Sequence, residues 1–142
     1  MHKGNTGRGD YRFCGEKFLS MYLEIPPSAT SPHVIFKDGV LVIEGKSIPQ
    51  QSAPFFEPLL KALNDYSLFP NQETRIELRV EYLNSDSMRS LMNIMIIAEK
   101  IYLAGHKVQV DWYYQDENDI IYDAGTIFQS LVEVPIYLKK KE

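Results

Sequence analysis

The chain has 142 residues, of which 44% are hydrophobic, and a formal net charge of −4 at pH 7. This length supports one hydrophobic core and is short for two, so we predict a single domain. The 15 basic residues are spread along the chain apart from a terminal run at Lys139-Lys140-Lys141, and they form no electrostatic footprint for nucleic acid.

The sequence also predicts a cytoplasmic protein without a metal site. Its single cysteine, Cys14, excludes an internal disulfide and leaves no set of thiols for structural zinc. No apolar run approaches the ~20 residues that span a bilayer, and the first residues lack the apolar block of a signal peptide. We therefore expect no membrane insertion. We also expect no cofactor, because the sequence contains no Gly-rich phosphate loop and no paired histidines.

Composition divides the chain into three segments. Residues 1–20 are rich in glycine and charge and show no sustained hydrophobic period, so we expect a poorly ordered extension. Regular patterning begins at Met21, which we interpret as the functional start. Residues 21–138 form the predicted domain, and residues 139–142 are expected to be a solvated, charged tail.

A β-hairpin is predicted near the start of this domain. The segment before it, residues 25–32, contains three prolines and is predicted to be a loop. Two apolar runs at residues 34–36 and 40–45 then flank Asp38-Gly39, a pair that readily adopts the positive φ of a tight turn.

The next predicted element is a helix that begins at Ser52. Serine is a common helix cap, and Pro54 suits the first turn because an N–H there would have no intrahelical partner. An apolar stripe at helical spacing predicts that this helix packs against the sheet. The stripe comprises Phe55, Phe56, Leu59, Leu60, Leu63 and Tyr66.

The strongest strand signal covers residues 74–82, where apolar and charged residues alternate from Thr74 to Tyr82. From Met88 onward the apolar residues recur three and four apart instead. This change of period predicts a long helix with one buried face that ends near Gly105.

The last part of the chain alternates strand and helix. We predict a strand at residues 108–114, a helix at 120–131 and a closing strand at 132–138, in which Pro135 favours a sheet edge. The acidic run at residues 116–119 lacks the ligand spacing of a calcium loop, and we interpret it as the cap of the helix. This order predicts an α/β fold with a mixed sheet, because the hairpin is antiparallel and helical crossovers join parallel strands.

The long strand and the long helix meet at residues 84–89, called the corner below. Asn84, Ser85 and Asp86 are all residue types that cap a helix by accepting a hydrogen bond from a backbone N–H. Their local preferences favour a cap whose side chain only satisfies the backbone. The alternative is a regulatory phosphorylation site. A phosphoryl group would add about −1.5 to −2 charges, which the helix dipole favours but which a docked partner would have to desolvate.

Several short motifs resemble those of a known family, the SiaC-type regulatory phosphoproteins. The resemblance runs from about Tyr22 to Leu138 and depends on the order and spacing of all the motifs together. They are Tyr22-Leu23 followed by Thr30-Ser31-Pro32, Gly45-Lys46-Ser47-Ile48-Pro49, Phe55-Phe56-Glu57-Pro58-Leu59-Leu60, Glu81-Tyr82-Leu83-Asn84-Ser85, and Trp112-Tyr113-Tyr114 followed by an acidic stretch.

The resemblance implies a fold similar to the anti-sigma-factor antagonist (STAS) type, a single-domain mixed sheet with an N-terminal hairpin and about three flanking helices. In this family a corner residue is phosphorylated by a partner kinase of the anti-sigma-factor type, and a PP2C-type phosphatase reverses the reaction. The unphosphorylated form binds and activates an effector enzyme such as a diguanylate cyclase.

Carried over by position, the implied phosphoacceptor is Ser85. Ser87 is the second candidate, because Asp86-Ser87 resembles the Asp-Ser of the STAS phosphorylation site. The chain departs from the family in having Ser85 in place of a threonine and Asp86 in place of a serine, which makes the unmodified corner acidic. The predicted partner-binding residues are Asn84, Ser85, Asp86, Ser87, Met88 and Arg89.

We therefore predict a signalling adaptor, not an enzyme, whose partner binding is switched by serine phosphorylation in cyclic di-GMP signalling. Two alternatives stay open. One is a constitutive structural adaptor in which Ser85 is only a cap. The other is a small metabolite-binding domain that uses Tyr113, Tyr114 and the acidic loop, although no recognisable nucleophile, base or metal set joins these side chains.

Overall fold

The computed structural model describes residues 10–14, 20–45 and 51–141, with side chains from Tyr22 onward. The strands in these ranges are β1 (Asp10–Cys14), β2 (Ser20–Ile25), β3 (His33–Lys37), β4 (Val40–Gly45), β5 (Glu73–Val80), β6 (Lys107–Tyr114) and β7 (Ile136–Lys140). The helices are α1 (Ser52–Tyr66), α2 (Ser85–Leu103) and α3 (Ile120–Leu131).

The strands form one mixed sheet in which spatial order follows chain order. The pairs from β1 to β4 are antiparallel, whereas those from β4 to β7 are parallel. Each parallel connection contains one helix, and right-handed crossovers place all three helices on the same face of the sheet. The opposite face is called the open face below. The predicted α/β fold with a mixed sheet, an N-terminal hairpin and three helices is confirmed.

The predicted hairpin joins β3 to β4 through a two-residue turn. Asp38 and Gly39 both have positive φ, 52° and 81°, as a turn that matches the twist of the two strands requires. A Cβ atom on Gly39 would lie 2.9 Å from the Asn71 amide nitrogen and 3.0 Å from the Glu73 carbonyl oxygen. Glycine is therefore required at this position by both backbone conformation and space.

The start of α1 differs from the prediction. Gln51 is the N-cap, without a side-chain cap bond, and Ser52 is the first residue inside the helix. The Ser52 side chain is fully buried, and its hydroxyl lies 2.9 Å from the hydroxyl of Ser90 on α2. Ser52 faces inward because α1 packs against α2 at this point, so its hydroxyl bonds across to the neighbouring helix.

Trp112 is the largest fully buried side chain and fastens α3 to the sheet. Its indole N–H donates to the carbonyl oxygen of Ile121 over 2.8 Å, and its ring lies 5.4 Å from the ring of Phe128. A Cβ atom on Gly125 would approach Trp112 to 2.7 Å. The helix can therefore lie this close to β6 only because residue 125 has no side chain.

The two ends of the chain depart from the expected boundaries. Asp10–Cys14 lie in the segment expected to be poorly ordered, yet they form β1 and pair antiparallel with β2. Ser20, the last residue of that segment, belongs to β2. Residues 1–9 and 15–19 lie outside the described residues. A strand is stabilised by hydrogen bonds to its neighbour, here β2, and a five-residue strand contains too few residues to show a hydrophobic period of its own.

The terminal lysines do not form a solvated tail. Lys139 and Lys140 belong to β7, and the backbone N–H of Lys141 donates to the carbonyl oxygen of Tyr114 over 2.8 Å. Backbone pairing with β6 holds these residues in place. Lysine is tolerated in this strand because charged side chains are common on edge strands. The closing strand lies at the edge of the sheet as predicted, since β7 pairs with β6 alone among the described strands. Its predicted bounds, residues 132–138, are wrong, because β7 begins at Ile136 and Pro135 lies just before it.

Two further features of the described residues bear on function. None of their helices has the length and hydropathy that a bilayer span requires. Their histidine, cysteine, aspartate and glutamate side chains form no group of three or more that could hold a metal ion.

In the acidic run, Asp119 caps α3 as predicted, because its carboxylate accepts the N–H of Tyr122 over 3.0 Å.

The open face carries a carboxylate whose ionisation should affect stability. The Tyr22 hydroxyl donates to Glu24, and His33 Nε2 lies 2.7 Å from the second carboxylate oxygen. The hydrogen bond from Tyr22, followed by the one to His33, holds the pKa of Glu24 below its ordinary value. A lowered pKa in the folded state stabilises the fold above the ordinary carboxyl pKa, and this contribution is lost as the pH falls through the folded-state pKa.

The change Tyr22→Phe should therefore raise the pKa of Glu24, because the stronger of its two hydrogen bonds is lost. Carboxyl-carbon NMR titration measures the shift directly. Urea denaturation across the acidic range should show a smaller acid-induced loss of stability in the variant than in the wild type. Tyr137→Phe, on the distant strand β7, is the matched control. Identical Glu24 titration midpoints in Tyr22→Phe and wild type would contradict the assignment.

Candidate phosphorylation site at the start of α2

The corner begins where β5 ends. Val80 is the last residue of the strand and is buried, and Leu83 is buried again three residues later. Asn84 then adopts extended backbone angles, φ −124° and ψ 177°, and α2 begins at Ser85. The buried side chains on both sides fix where the chain turns, so the first turn of α2 projects from the carboxyl edge of the parallel strands.

A capping box closes the start of α2, and it selects one of the three predicted cap residues. Asn84 Oδ1 accepts the backbone N–H of Ser87 over 2.8 Å. The Ser87 hydroxyl accepts the N–H of Asn84 over 2.8 Å and lies 2.9 Å from the Asn84 carbonyl oxygen, to which it donates. Ser87 is fully buried. The pair Asn84 and Ser87 thus satisfies backbone groups that an open helix end would leave without partners.

Ser85 differs from Ser87 in every respect that matters for modification. It is the first residue of α2 and its side chain is exposed. The positive end of the helix dipole lies at this residue. Asp86, next to it, is 45% exposed and lies 3.4 Å from Nη1 of Arg89, which is itself 76% exposed. The corner therefore presents a hydroxyl, a carboxylate and a guanidinium to solvent.

The remaining predicted contact residues divide between surface and core. Met88 is partly buried against the hydrophobic core, as is Met92 one turn later. Tyr82 was predicted to continue the buried face of the strand, but β5 ends at Val80 and Tyr82 is 52% exposed. The alternation of apolar and charged residues runs past the last pairing residue, so the pattern placed Tyr82 in the core. The structure places it on the surface beside the corner instead.

The two tyrosines of the predicted metabolite site lie on opposite faces of β6. The Arg79 guanidinium lies over the Tyr113 ring at 3.7 Å on the open face. Tyr114 points to the helical face, where its ring lies 4.8 Å from that of Tyr122. Burial, with a smaller contribution from the charge of Glu117, raises the pKa of the Tyr114 hydroxyl. The structure therefore does not bring the two tyrosines into one pocket.

Removal of the Ser87 hydroxyl should destabilise the fold. The change Ser87→Ala leaves the N–H of Asn84 without its side-chain acceptor, and loss of a cap costs about 1–2 kcal/mol. Urea denaturation followed by circular dichroism measures the loss. Ser85→Ala is the control and should change the free energy of unfolding by less than about 0.5 kcal/mol, as exposed substitutions usually do. Equal losses in the two variants would contradict the capping role of Ser87.

Fold and corner together define a small α/β protein with a mixed sheet and an exposed serine at a capped helix start. The profile of the SiaC family regulatory phosphoproteins matches residues 25–141. The chain belongs to this family. The match spans the hairpin, the parallel strands, all three helices and the corner.

Solved structures share the same fold. SiaC of Pseudomonas aeruginosa superposes with a TM-score of 0.76 at 21% sequence identity, covering 84% of this chain and 98% of that chain. SiaC in the crystal structure of the diguanylate cyclase SiaD in complex with its activator SiaC, from the same organism, superposes with a TM-score of 0.73 at 22% identity, covering 83% and 98%. An uncharacterised protein of P. aeruginosa strain UCBPP-PA14 is 23% identical over 119 residues, which is 82% of this chain and 94% of that protein.

Proposed function

We propose that this chain is a cytoplasmic adaptor that binds and activates an effector enzyme, and that phosphorylation of Ser85 releases the effector. The effector is an enzyme of the diguanylate cyclase class. A kinase of the anti-sigma-factor type adds the phosphate, and a PP2C-type phosphatase removes it. The chain itself carries out no chemistry in this scheme.

The observation that supports Ser85 as the acceptor is its exposure beside a buried Ser87. A kinase must bring the acceptor hydroxyl in line with the γ-phosphate of ATP, which requires an accessible side chain. The Ser87 hydroxyl is inaccessible and already bonds both backbone groups of Asn84. Phosphorylation of Ser87 would require the start of α2 to open, whereas Ser85 can react with the helix intact.

The surroundings of Ser85 explain how a phosphate would act. The N-terminal end of α2 favours a phosphate electrostatically, so the fold should persist after modification. A partner docked over the corner would have to desolvate that phosphate next to Asp86, and burial of an unpaired charge costs several kcal/mol. The modification would therefore eject the partner without unfolding the adaptor.

The family and its solved complex support the choice of effector class. The chain belongs to a family of regulatory phosphoproteins, and a P. aeruginosa member of the same fold is crystallised as the activator of a diguanylate cyclase. The exposed residues of the corner region, Tyr82, Asp86 and Arg89, combine an aromatic ring with both signs of charge, as protein interfaces commonly do.

Mass spectrometry of the protein purified from its own cells tests the switch. The expected result is a fraction of the protein that is 80 Da heavier, about the mass of one phosphoryl group, with the phosphate on Ser85 and removable by phosphatase. A phosphate on Ser87 would move the site two residues along α2, to the buried side chain. Complete absence of phosphate across growth phases and starvation conditions would overturn the proposal in favour of a constitutive adaptor.

A further inference from the structure

The open face of β5, β6 and β7 carries a group of ion pairs in which the cations lie outermost. The side chains of Arg75, Arg79 and Lys139 are 50%, 34% and 42% exposed. The carboxylates between them, Glu77 and Asp111, are only 19% and 1% exposed. These two acidic residues are direct neighbours on β5 and β6. The cationic patch, Arg75, Arg79 and Lys139, therefore presents positive charge to solvent from above sunken carboxylates.

The ion pairs of the patch are long. Arg75 and Arg79 each lie 3.6 Å from the Glu77 carboxylate, and Lys139 Nζ lies 3.4 Å from Asp111 Oδ2. Charge-assisted hydrogen bonds are usually about 2.7–2.9 Å long. The cations are thus held by charge without short hydrogen bonds to these carboxylates, and their N–H donors can bond a further acceptor.

Asp111 shows that the patch is a built feature of the sheet. Its Oδ1 accepts from the Gln109 amide over 2.9 Å, but among the described residues its buried Oδ2 has no hydrogen-bond partner. A buried carboxylate is costly unless cations offset its charge. Lys139 and Arg75, which lies 3.9 Å from Oδ2, supply that charge. Asp111 in return holds the two cations at defined positions above the sheet.

Aromatic side chains and a concave surface accompany the cations. Arg79 stacks over Tyr113 at 3.7 Å, and Tyr137 on β7 is 51% exposed. A cavity of about 710 Å³ adjoins the patch, and Arg75, Gln109 and Tyr137 are among the residues that line it. Arginine and tyrosine are, with tryptophan, the residue types enriched among the few residues that dominate the binding energy of protein interfaces. The patch therefore has the composition of a contact surface.

We propose that the cationic patch, with Tyr113 and Tyr137, binds an acidic segment of a partner protein. Charge complementarity favours this occupant, because three exposed cations outnumber the two sunken carboxylates of the patch on a chain whose net charge is −4. Exposed Glu44 lies directly opposite Arg79 on β4, and exposed Glu81 follows the end of β5, so the positive surface ends at β5. Arg75 and Arg79 are about 13 Å apart along one strand, a spacing that an extended segment with carboxylates four residues apart would match. The residues of this surface belong to β5, β6 and β7 and include none of the corner residues 84–89, so the proposal does not rest on phosphorylation of Ser85.

Fluorescence anisotropy with a fluorescein-labelled octaglutamate peptide tests the proposal at low salt. The double variant Arg79→Gln/Lys139→Gln should bind the peptide roughly tenfold more weakly than the wild type. Lys61→Gln/Lys100→Gln is the matched control, since it removes the same charge from exposed positions on α1 and α2 and should bind as the wild type does. Thermal denaturation verifies that both double variants are folded.

Three results would overturn the proposal. One is no peptide binding by the wild type at low salt, and another is equal weakening in both double variants. The third is tighter binding of a single-stranded 20-nucleotide DNA with the same dependence on Arg79 and Lys139, which would indicate a nucleic-acid surface instead. Ser85→Glu should bind the peptide as the wild type does, so failure of the corner switch and failure of the patch can be told apart.

Discussion

The change Ser85→Glu is expected to weaken binding of the effector enzyme by roughly thirtyfold or more, whereas Ser85→Ala should bind with wild-type affinity. A carboxylate at the exposed start of α2 would be desolvated without a partner when the effector docks, and such a charge costs about 2 kcal/mol or more. Alanine removes a hydroxyl that the cap does not use, because Asn84 and Ser87 form the capping box. Isothermal titration calorimetry with a diguanylate cyclase from the organism that encodes this chain, as the proposed effector, measures both affinities.

Ser130→Glu is the matched control for this experiment. Ser130 is exposed near the end of α3, where the same change of charge lies far from the corner, so binding should be unchanged. Cyclase activity provides a second readout and should fall in parallel with affinity for Ser85→Glu alone. Wild-type affinity of Ser85→Glu would contradict the switch. Weak binding by Ser85→Ala would show that the serine hydroxyl itself makes a contact.

The change Trp112→Ala should cost about 3–5 kcal/mol of the free energy of unfolding, which approaches the total stability of many domains. Trp112 is fully buried between β6 and α3, and its indole N–H bonds the Ile121 carbonyl oxygen. Truncation leaves a cavity beneath Phe128 and removes the donor for that carbonyl. Urea denaturation followed by far-ultraviolet circular dichroism measures the loss, because the variant has no tryptophan whose fluorescence could report unfolding.

Tyr113→Ala is the control for this prediction, because the next residue of β6 points to the open face. It should lose the contact with Arg79 and little else, at a cost of about 1 kcal/mol. The two neighbouring aromatic residues would then differ severalfold in effect. Similar losses for both would contradict the assignment of Trp112 to the contact between α3 and the sheet.

Local sequence was sufficient wherever a segment is stabilised by its own residues and one buried face. The Asp38-Gly39 turn, the helical stripe of α2 and the cap at Asp119 follow from backbone preference and periodicity, and all are present in the structure. The residue types that could cap α2 were also evident. Periodicity did not predict where β5 ends, because pairing with β4 and β6 stops before the alternation of apolar and charged residues does.

The errors share a physical cause, since each residue involved takes its place from a distant element. Ser52 faces Ser90 on α2 instead of capping α1, and Lys139 joins a strand because β6 supplies its pairing partners. Asp111 lies in the predicted strand at residues 108–114, and its burial, for which no prediction was made, has the same origin. Its burial depends on Arg75 and Lys139, which approach from two other strands.

The corner shows how the two sources of information divide. Its sequence alone indicated a helix start, because capping preferences and the change of period are local properties. The family resemblance, not these preferences, implied Ser85 and Ser87 as the candidate serines. Which serine faces solvent is a property of packing. Leu83 and Leu91 are buried against the core, and this orientation turns Ser87 inward and leaves Ser85 exposed at the carboxyl edge of the sheet. The burial of a side chain depends on the neighbours that the whole fold brings together, so only the tertiary structure could show that Ser87 is buried and Ser85 is exposed.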